Sequence, residues 1–268
     1  MIRTVAILSP GDMGHAVGIV LRRGGVEVVS CMRARSSRTK QRASEAGIVD
    51  LADLDAVVTQ ADVVLSILPP AVAMQEAEAL AAAIRRTGAR PVVADCNAIA
   101  PATAVAIGRI VEAAGGTFVD ASIIGRPPIW GSTETHVYVS GPESHQLLTL
   151  RLHGLEVRAI GDEIGQASGL KMCYAAVTKG LAALATQQRT AAAGLGLSVS
   201  LLQELEQSQP VLLAWMAKML PDVPSKAARW VGEMEEIAAT FESVGVSPSM
   251  MTGAAEFFRV AATTSAES

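Results

Sequence analysis

The 268 residues carry 22 basic and 26 acidic side chains, a formal net charge of −4, and half of them are hydrophobic with a mean hydropathy of +0.35. That balance excludes disorder over most of the length, and acidic charge with only 3% aromatic residues excludes a phosphate-backbone or base-stacking surface, so nucleic acid is not expected as a partner. No run approaches the ~20 apolar residues of a membrane span, and the expectation is a soluble cytoplasmic protein. Cys31, Cys96 and Cys173 are odd in number, without CxxC spacing or a neighbouring histidine cluster, so neither a disulfide framework nor a metal site is expected.

From the start to about Ile160, short β-branched runs alternate with alanine-rich amphipathic stretches. The spacing predicts strands over Ile2–Leu8, Glu27–Met32, Val63–Leu68, Pro91–Asp95, Thr117–Ser122, Val137–Ser140 and Glu156–Ile160. Their continuous apolar character suits a mostly parallel sheet buried on both faces. Helices are expected over Met13–Arg23, Val72–Arg86 and Pro101–Ala114, the last with proline in its first turn. Repeated βα units of this kind predict a doubly wound α/β fold.

Beyond Ile160 the strand pattern stops and the charge changes: residues 1–160 hold fifteen side chains of each sign, residues 161–268 seven basic and eleven acidic. Gly165–Leu195 reads as one long helix of small residues, followed by helices over Ser198–Gln207, Val211–Leu220, Ser225–Gly245 and Pro248–Ala262, with Pro210, Pro221 and Pro224 at the breaks. The tail Thr263–Ser268 has no apolar anchor and is expected to fray. The reading is an α/β domain over 1–162 and an all-α domain over 163–268, joined by the long helix.

Ser9, Pro10, Gly11, Asp12, Met13 and Gly14 stand directly after the first strand and open the first helix. Glycines there let the backbone approach a pyrophosphate, whose charge sits at the positive end of the helix. Ser9 replaces the first glycine of GxGxxG. After the second strand no acid is present to take the ribose hydroxyls of NAD; Arg33, Arg35, Arg38, Lys40 and Arg42 follow instead, with Ser36 and Ser37 among them. Arg33, Arg35, Ser36 and Arg38 suit the 2′-phosphate of NADP, whereas Lys40 and Arg42 are expected on a solvated helix face.

With three further segments, these residues make the chain resemble the β-hydroxyacid dehydrogenase family, which includes 3-hydroxyisobutyrate and 6-phosphogluconate dehydrogenases. The resemblance covers nearly the whole length and implies a Rossmann-type N-terminal domain, an all-α substrate and dimerisation domain, a small-molecule substrate and a homodimer. Leu68, Pro69 and Pro70 match the family's loop beside the nicotinamide, and the DCNAIAP run from Asp95 to Pro101 its loop after the fifth strand, which implies Asn97 near cofactor and substrate. The DASIIG run from Asp120 is similar to the substrate-binding segment DxPVSGG, with Ser122 and Gly125 as the implied contacts and Ile124 in place of the serine.

Gly165–Tyr174 resembles the family's GxxxxxKxxxN helix, which implies Lys171 as the general acid and base. A lysine near the positive end of an apolar helix is expected to have a depressed pKa. Tyr174, one turn on, stands for the family's asparagine. Where family members carry a lysine–aspartate pair on a later helix, this chain has Glu235 and Glu236, with Arg229 as a replacement carboxylate anchor and Glu233 beside it. That run resembles a branch with a phosphogluconate dehydrogenase-like C-terminal domain. The reading is an NADP(H)-dependent enzyme interconverting a small hydroxy acid and its oxo acid or aldehyde. An NADPH-dependent imine reductase and a noncatalytic NADPH sensor are the alternatives.

Overall fold

The computed structural model describes residues 2–264. Each expected apolar run forms a strand, and the polar segments between the second and fourth strands add elements that apolar periodicity does not announce. In chain order these are β1 (Thr4–Ile7), α1 (Asp12–Arg23), β2 (Glu27–Ser30), α2 (Ser37–Glu45), β3 (Val49–Asp50), α3 (Leu54–Gln60), β4 (Val63–Ser66), α4 (Pro70–Thr87), β5 (Val92–Asp95), α5 (Pro101–Ala113), β6 (Thr117–Ile124), β7 (His136–Ser140) and β8 (Glu156–Gly161). α2 buries only Ala43 and β3 is two exposed residues, so neither has an apolar stripe to read. α2 and α3 start on side-chain caps instead: Thr39 N donates to Ser36 Oγ at 3.2 Å, and Ala56 N to Asp53 Oδ1 at 2.9 Å.

The sheet runs β3-β2-β1-β4-β5-β6-β7-β8, parallel throughout except between β6 and β7. Side chains alternate across it. Val5, Ile7, Val28, Leu65 and Ile123 face α1, while Ala6, Val29, Val64, Val93 and Phe118 meet Leu80, Ile84 and Ile107 of α4 and α5. Each large aliphatic side chain buried this way contributes about 1.5–3 kcal/mol. Parallel order puts the loops after β1, β2, β4 and β5 at one end of the sheet, where ligands of open α/β folds bind.

α6 (Gln166–Gly194) runs out of this first unit, and the chain divides into two compact units between Lys171 and Met172. The second unit continues with α7 (Ser198–Ser208), α8 (Pro210–Met219), α9 (Val223–Ser243) and α10 (Ser249–Thr264). α9 and α10 share a core in which Trp230 meets Phe258 edge-on at 5.1 Å, with Met234 and Ile237 fully buried. α7 buries no side chain and α8 only Met216. α10 continues through Thr264, and residues 265–268 of the tail lie outside the described residues. No helix among the described residues is long and apolar enough to cross a membrane.

Candidate active site

The loop after β1 is shaped by glycine. Gly11 caps α1 without a side-chain hydrogen bond, and its own amide donates to the Ser9 carbonyl at 2.8 Å. A Cβ at Gly14 would collide with the Ser9 carbonyl oxygen, whereas one at Gly11 would meet open space. The first-turn amides of α1 therefore face a cradle that only a small residue at position 14 permits. Pro10 is buried, Ser9 and Met13 are half-buried, and Asp12 is exposed at the helix start. Asp12 is neutralised by Arg42, whose side chain is only 19% exposed. The solvated face expected for Arg42 is thus corrected: its guanidinium reaches from α2 to the first residue of α1 and pairs the two charges. Lys40 is exposed.

At the end of β2 the basic run borders a groove of about 580 Å³ lined by Arg33, Ala34, Arg35, Asp53, Asp55 and Glu76, with Arg86 and Cys31. Ala34 takes φ +60, the left-handed region, and among the described residues it is the one non-glycine to do so. Arg33 and Arg38 are exposed. Ser36 spends its oxygen capping α2, and Arg35 donates from Nη2 to Glu76 Oε1 at 3.1 Å. Asp55 pairs with Arg86 at 2.6 Å, and that guanidinium holds the Asp55 carboxyl below its usual range.

A buried polar network fills the C-terminal ends of β4, β5 and β6. Asn97 is 2% exposed and commits its whole side chain. Its Oδ1 accepts from Leu68 N at 2.5 Å, and its Nδ2 donates to Ser66 Oγ at 3.0 Å and Asp95 Oδ2 at 2.8 Å. Asn97 thus ties the loop of Leu68, Pro69 and Pro70, which opens α4, to the end of β5. Asp95 also accepts from Asn97 N at 2.9 Å, and β5–β6 register sets Asp95 opposite Asp120. Burial, reinforced by Asp120 and opposed by the Asn97 amide and Lys171, pushes the Asp95 carboxyl up to about 7. Burial likewise pushes the Cys96 thiol up, so it is protonated and unreactive.

Asp120 holds the start of the lysine-bearing helix. Its Oδ2 accepts from Gly165 N at 2.9 Å, Ser168 N at 3.1 Å and Ser140 Oγ at 2.9 Å, and its Oδ1 from Ser168 Oγ at 2.6 Å. Ala167 N donates to Ser140 Oγ at 2.9 Å. Burial raises the Asp120 carboxyl against the pull of these donors. The clamp places Lys171, half-buried in the second turn of α6, with Nζ 3.4 Å from the Cys96 carbonyl. Ser122, two residues beyond Asp120 on the same face of β6, is fully buried, and its hydroxyl has no hydrogen-bond partner among the described residues. Gly125 takes φ +130, where a Cβ would lie 2.8 Å from the Glu134 carbonyl oxygen, so the turn after β6 requires glycine.

In the second unit Tyr174 is 52% exposed. The KxxxN spacing itself reaches Ala175, which is buried, so Tyr174 stands beside the asparagine position rather than in it. On α9, Glu233 is buried and bridges Lys179 at 2.7 Å and Arg229 at 3.1 Å, whereas Glu235 pairs with Arg259 at 2.8 Å on the surface. The expected anchor Arg229 and its neighbour Glu233 are therefore partners of each other. Glu76, Ser66 and Ser140 are contributors that sequence reasoning missed. Each is an ordinary polar residue without a motif, and only its distant partner gives it meaning.

The cradle, the arginine-lined groove and the lysine-bearing helix at one end of a mostly parallel sheet define a dinucleotide-binding α/β protein. The chain matches the profile of the acetohydroxy acid isomeroreductase NADPH-binding domain over residues 2–89 and a domain of unknown function, DUF1932, over residues 192–261. It is 30% identical over 184 residues to an uncharacterised 28.5 kDa protein of Methanothermus fervidus, covering 69% of each chain. Its fold is similar to that of a conserved protein of unknown function, MTH1747, described as similar to 3-hydroxyacid dehydrogenases, at 28% identity and TM-score 0.70 over 98% of this chain and 99% of that one. It is also similar to 3-hydroxyisobutyrate dehydrogenase from Salmonella typhimurium, at 17% identity and TM-score 0.77 over 98% of this chain and 95% of that one. The chain shares a family with the Methanothermus fervidus protein, and its fold is that of the 3-hydroxyacid dehydrogenases.

Proposed function

We propose that the chain is an NADP(H)-dependent oxidoreductase that interconverts a small hydroxy acid and its oxo acid or aldehyde, with Lys171 as general acid and base. The observation that carries this reading is the placement of Lys171. Its helix is clamped by Asp120 and Ser140, and its ammonium reaches the Cys96 carbonyl at the ligand-binding end of the sheet. The residues present fit the cofactor: the Gly11–Gly14 cradle offers amides to a pyrophosphate, and the groove beside Arg33, Arg35, Ser36 and Arg38 takes the adenosine end. Bound there, the nicotinamide group would supply or accept the hydride. The NADPH-binding profile over the same residues supports this reading.

Lys171 donates a proton to the substrate's carbonyl oxygen in reduction and takes the hydroxyl proton in oxidation. Asn97 acts at one remove, because its side chain is committed to Leu68, Ser66 and Asp95; it positions the Leu68–Pro70 loop. The unpartnered Ser122 hydroxyl and the Gly125 turn belong to the substrate set on β6. In the second unit we assign Tyr174 and the outward half of Arg229 to the substrate, with Glu233 orienting Arg229. The first unit binds cofactor, and the helical unit carries substrate contacts and the homodimer surface.

Titration with NADPH and NADH, followed by assays over small oxo acids, aldehydes and cyclic imines, tests the reading. NADPH should bind at least about tenfold more tightly, the scale of one charge-assisted hydrogen bond. Lys171→Ala should bind NADPH like the parent and lose on the order of 10²–10⁴ in rate. Parent-like rates in the variant would remove Lys171 from the chemistry. Turnover confined to imines would replace the substrate class, and cofactor binding without turnover of any substrate would favour the sensor.

A further inference from the structure

We infer that Glu76 is a cofactor-specificity residue: it holds Arg35 away from a 2′-phosphate and so moderates the preference for NADPH over NADH. The inference rests on the cofactor reading above and concerns the same groove. The sequence around Arg33 looks strongly cationic, yet the folded groove is not. Three arginines, Arg33, Arg35 and Arg86, line it together with three carboxylates, Asp53, Asp55 and Glu76, so its formal charge is zero. Arg86 is consumed by Asp55, and Asp53 caps α3 through the Ala56 amide. Arg33 has no ion-pair partner among the described residues, which leaves Arg35 as the second cation for a phosphate.

Arg35 is not presented for that task. A phosphate is gripped best by two adjacent guanidinium donors. Here Nη2 is taken by Glu76 Oε1 at 3.1 Å, and Nε is buried with no hydrogen-bond partner among the described residues. Both side chains are only about a quarter exposed, at 24% and 22%, so the pair is weakly screened. The left-handed turn at Ala34 splits the two neighbouring arginines: Arg33 stands in solvent and Arg35 leans to α4. A 2′-phosphate brings close to two negative charges at neutral pH and must take Arg35 from a carboxylate while lying beside it. NADH, with a hydroxyl at that place, meets no such repulsion. Replacing Glu76 by glutamine keeps the shape, makes the groove net positive and releases the guanidinium. An orphaned Nε marks the present pairing as one that a better partner can displace.

The test is fluorescence titration of NADPH and NADH into the parent, Glu76→Gln, Arg35→Met and the double variant. Glu76→Gln should tighten NADPH about tenfold and leave NADH within about twofold. Arg35→Met alone should weaken NADPH little, and in the double variant it should remove most of the glutamine gain, a non-additivity that assigns the effect to the pair. If Glu76→Gln weakens NADPH, Glu76 orients Arg35 for the phosphate and the inference is overturned; equal tightening of both cofactors, or no change, overturns it too. These outcomes leave the cofactor reading standing. A parent that binds neither cofactor overturns that reading and this inference with it.

Discussion

Asp95 and Asp120 stand opposite each other in register across β5 and β6, and their surroundings differ. Asp120 accepts hydrogen bonds from two amides and two hydroxyls, whereas among the described residues Asp95 accepts from the amide and side chain of Asn97. Burial then raises Asp95 to about 7, far above its value of 3.8 in an unfolded chain. A carboxyl raised on folding binds its proton more tightly in the native state, so stability is lost as pH rises from about 4 through about 7 and levels off above. Melting temperatures of Asp95→Asn should accordingly fall less than those of the parent between pH 5 and pH 8. Equal slopes would show that Asp95 is ionised across that range.

The start of α6 is specified from outside the helix itself. A glycine at φ +105 precedes its first residue, and the amides that a helix leaves open are met by Asp120 from β6 and Ser140 from β7. A carboxylate there also suits the helix's positive end. Asp120→Ala strips these buried donors of their acceptor, each worth about 1–3 kcal/mol, and should destabilise the protein by roughly 3 kcal/mol or more in urea unfolding. Because the clamp sets where Lys171 lies, the variant's remaining folded fraction should bind NADPH normally and turn over slowly. Loss of binding in step with turnover would mean that the clamp supports the whole sheet and not the lysine. The sequence showed α6 by its length and its freedom from proline. It gave no sign of the clamp, since the carboxylate that Ser140 and Ser168 meet lies 20 and 48 residues away along the chain.

At the scale of the whole molecule, the helical unit leaves much apolar surface uncovered. Val177 and Leu184 on α6 are each 60% exposed, Val199 on α7 is 70% exposed and Val211 on α8 is 85% exposed, and α7 buries no side chain. Exposed apolar side chains in such number suit an association site, and a second copy is the occupant we assign. Sedimentation should therefore show a species of twice 27.8 kDa, and Leu184→Asp should shift it toward monomer while NADPH binding in the first unit survives. A parent that stays monomeric at micromolar concentration removes the homodimer from the proposal.

What the sequence determined by itself is whatever depends on near neighbours. Alternating apolar runs specified the strands, proline and glycine the helix limits, and Gly11 and Gly14 the cradle, because backbone preference and side-chain period act over a few residues. The tertiary structure alone decided which charges meet. Arg35 and Glu76 lie 41 residues apart, Asp120 and Gly165 45, and Lys171 and Cys96 75, and each pair is joined only after strand order and helix packing are settled. The basic run at Arg33–Arg42 shows the difference most clearly: as a string it is a strong cation, and in the fold two of its arginines are neutralised by Asp12 and Glu76. Electrostatic work depends on distance and burial in three dimensions, and a count of charges along a chain contains neither.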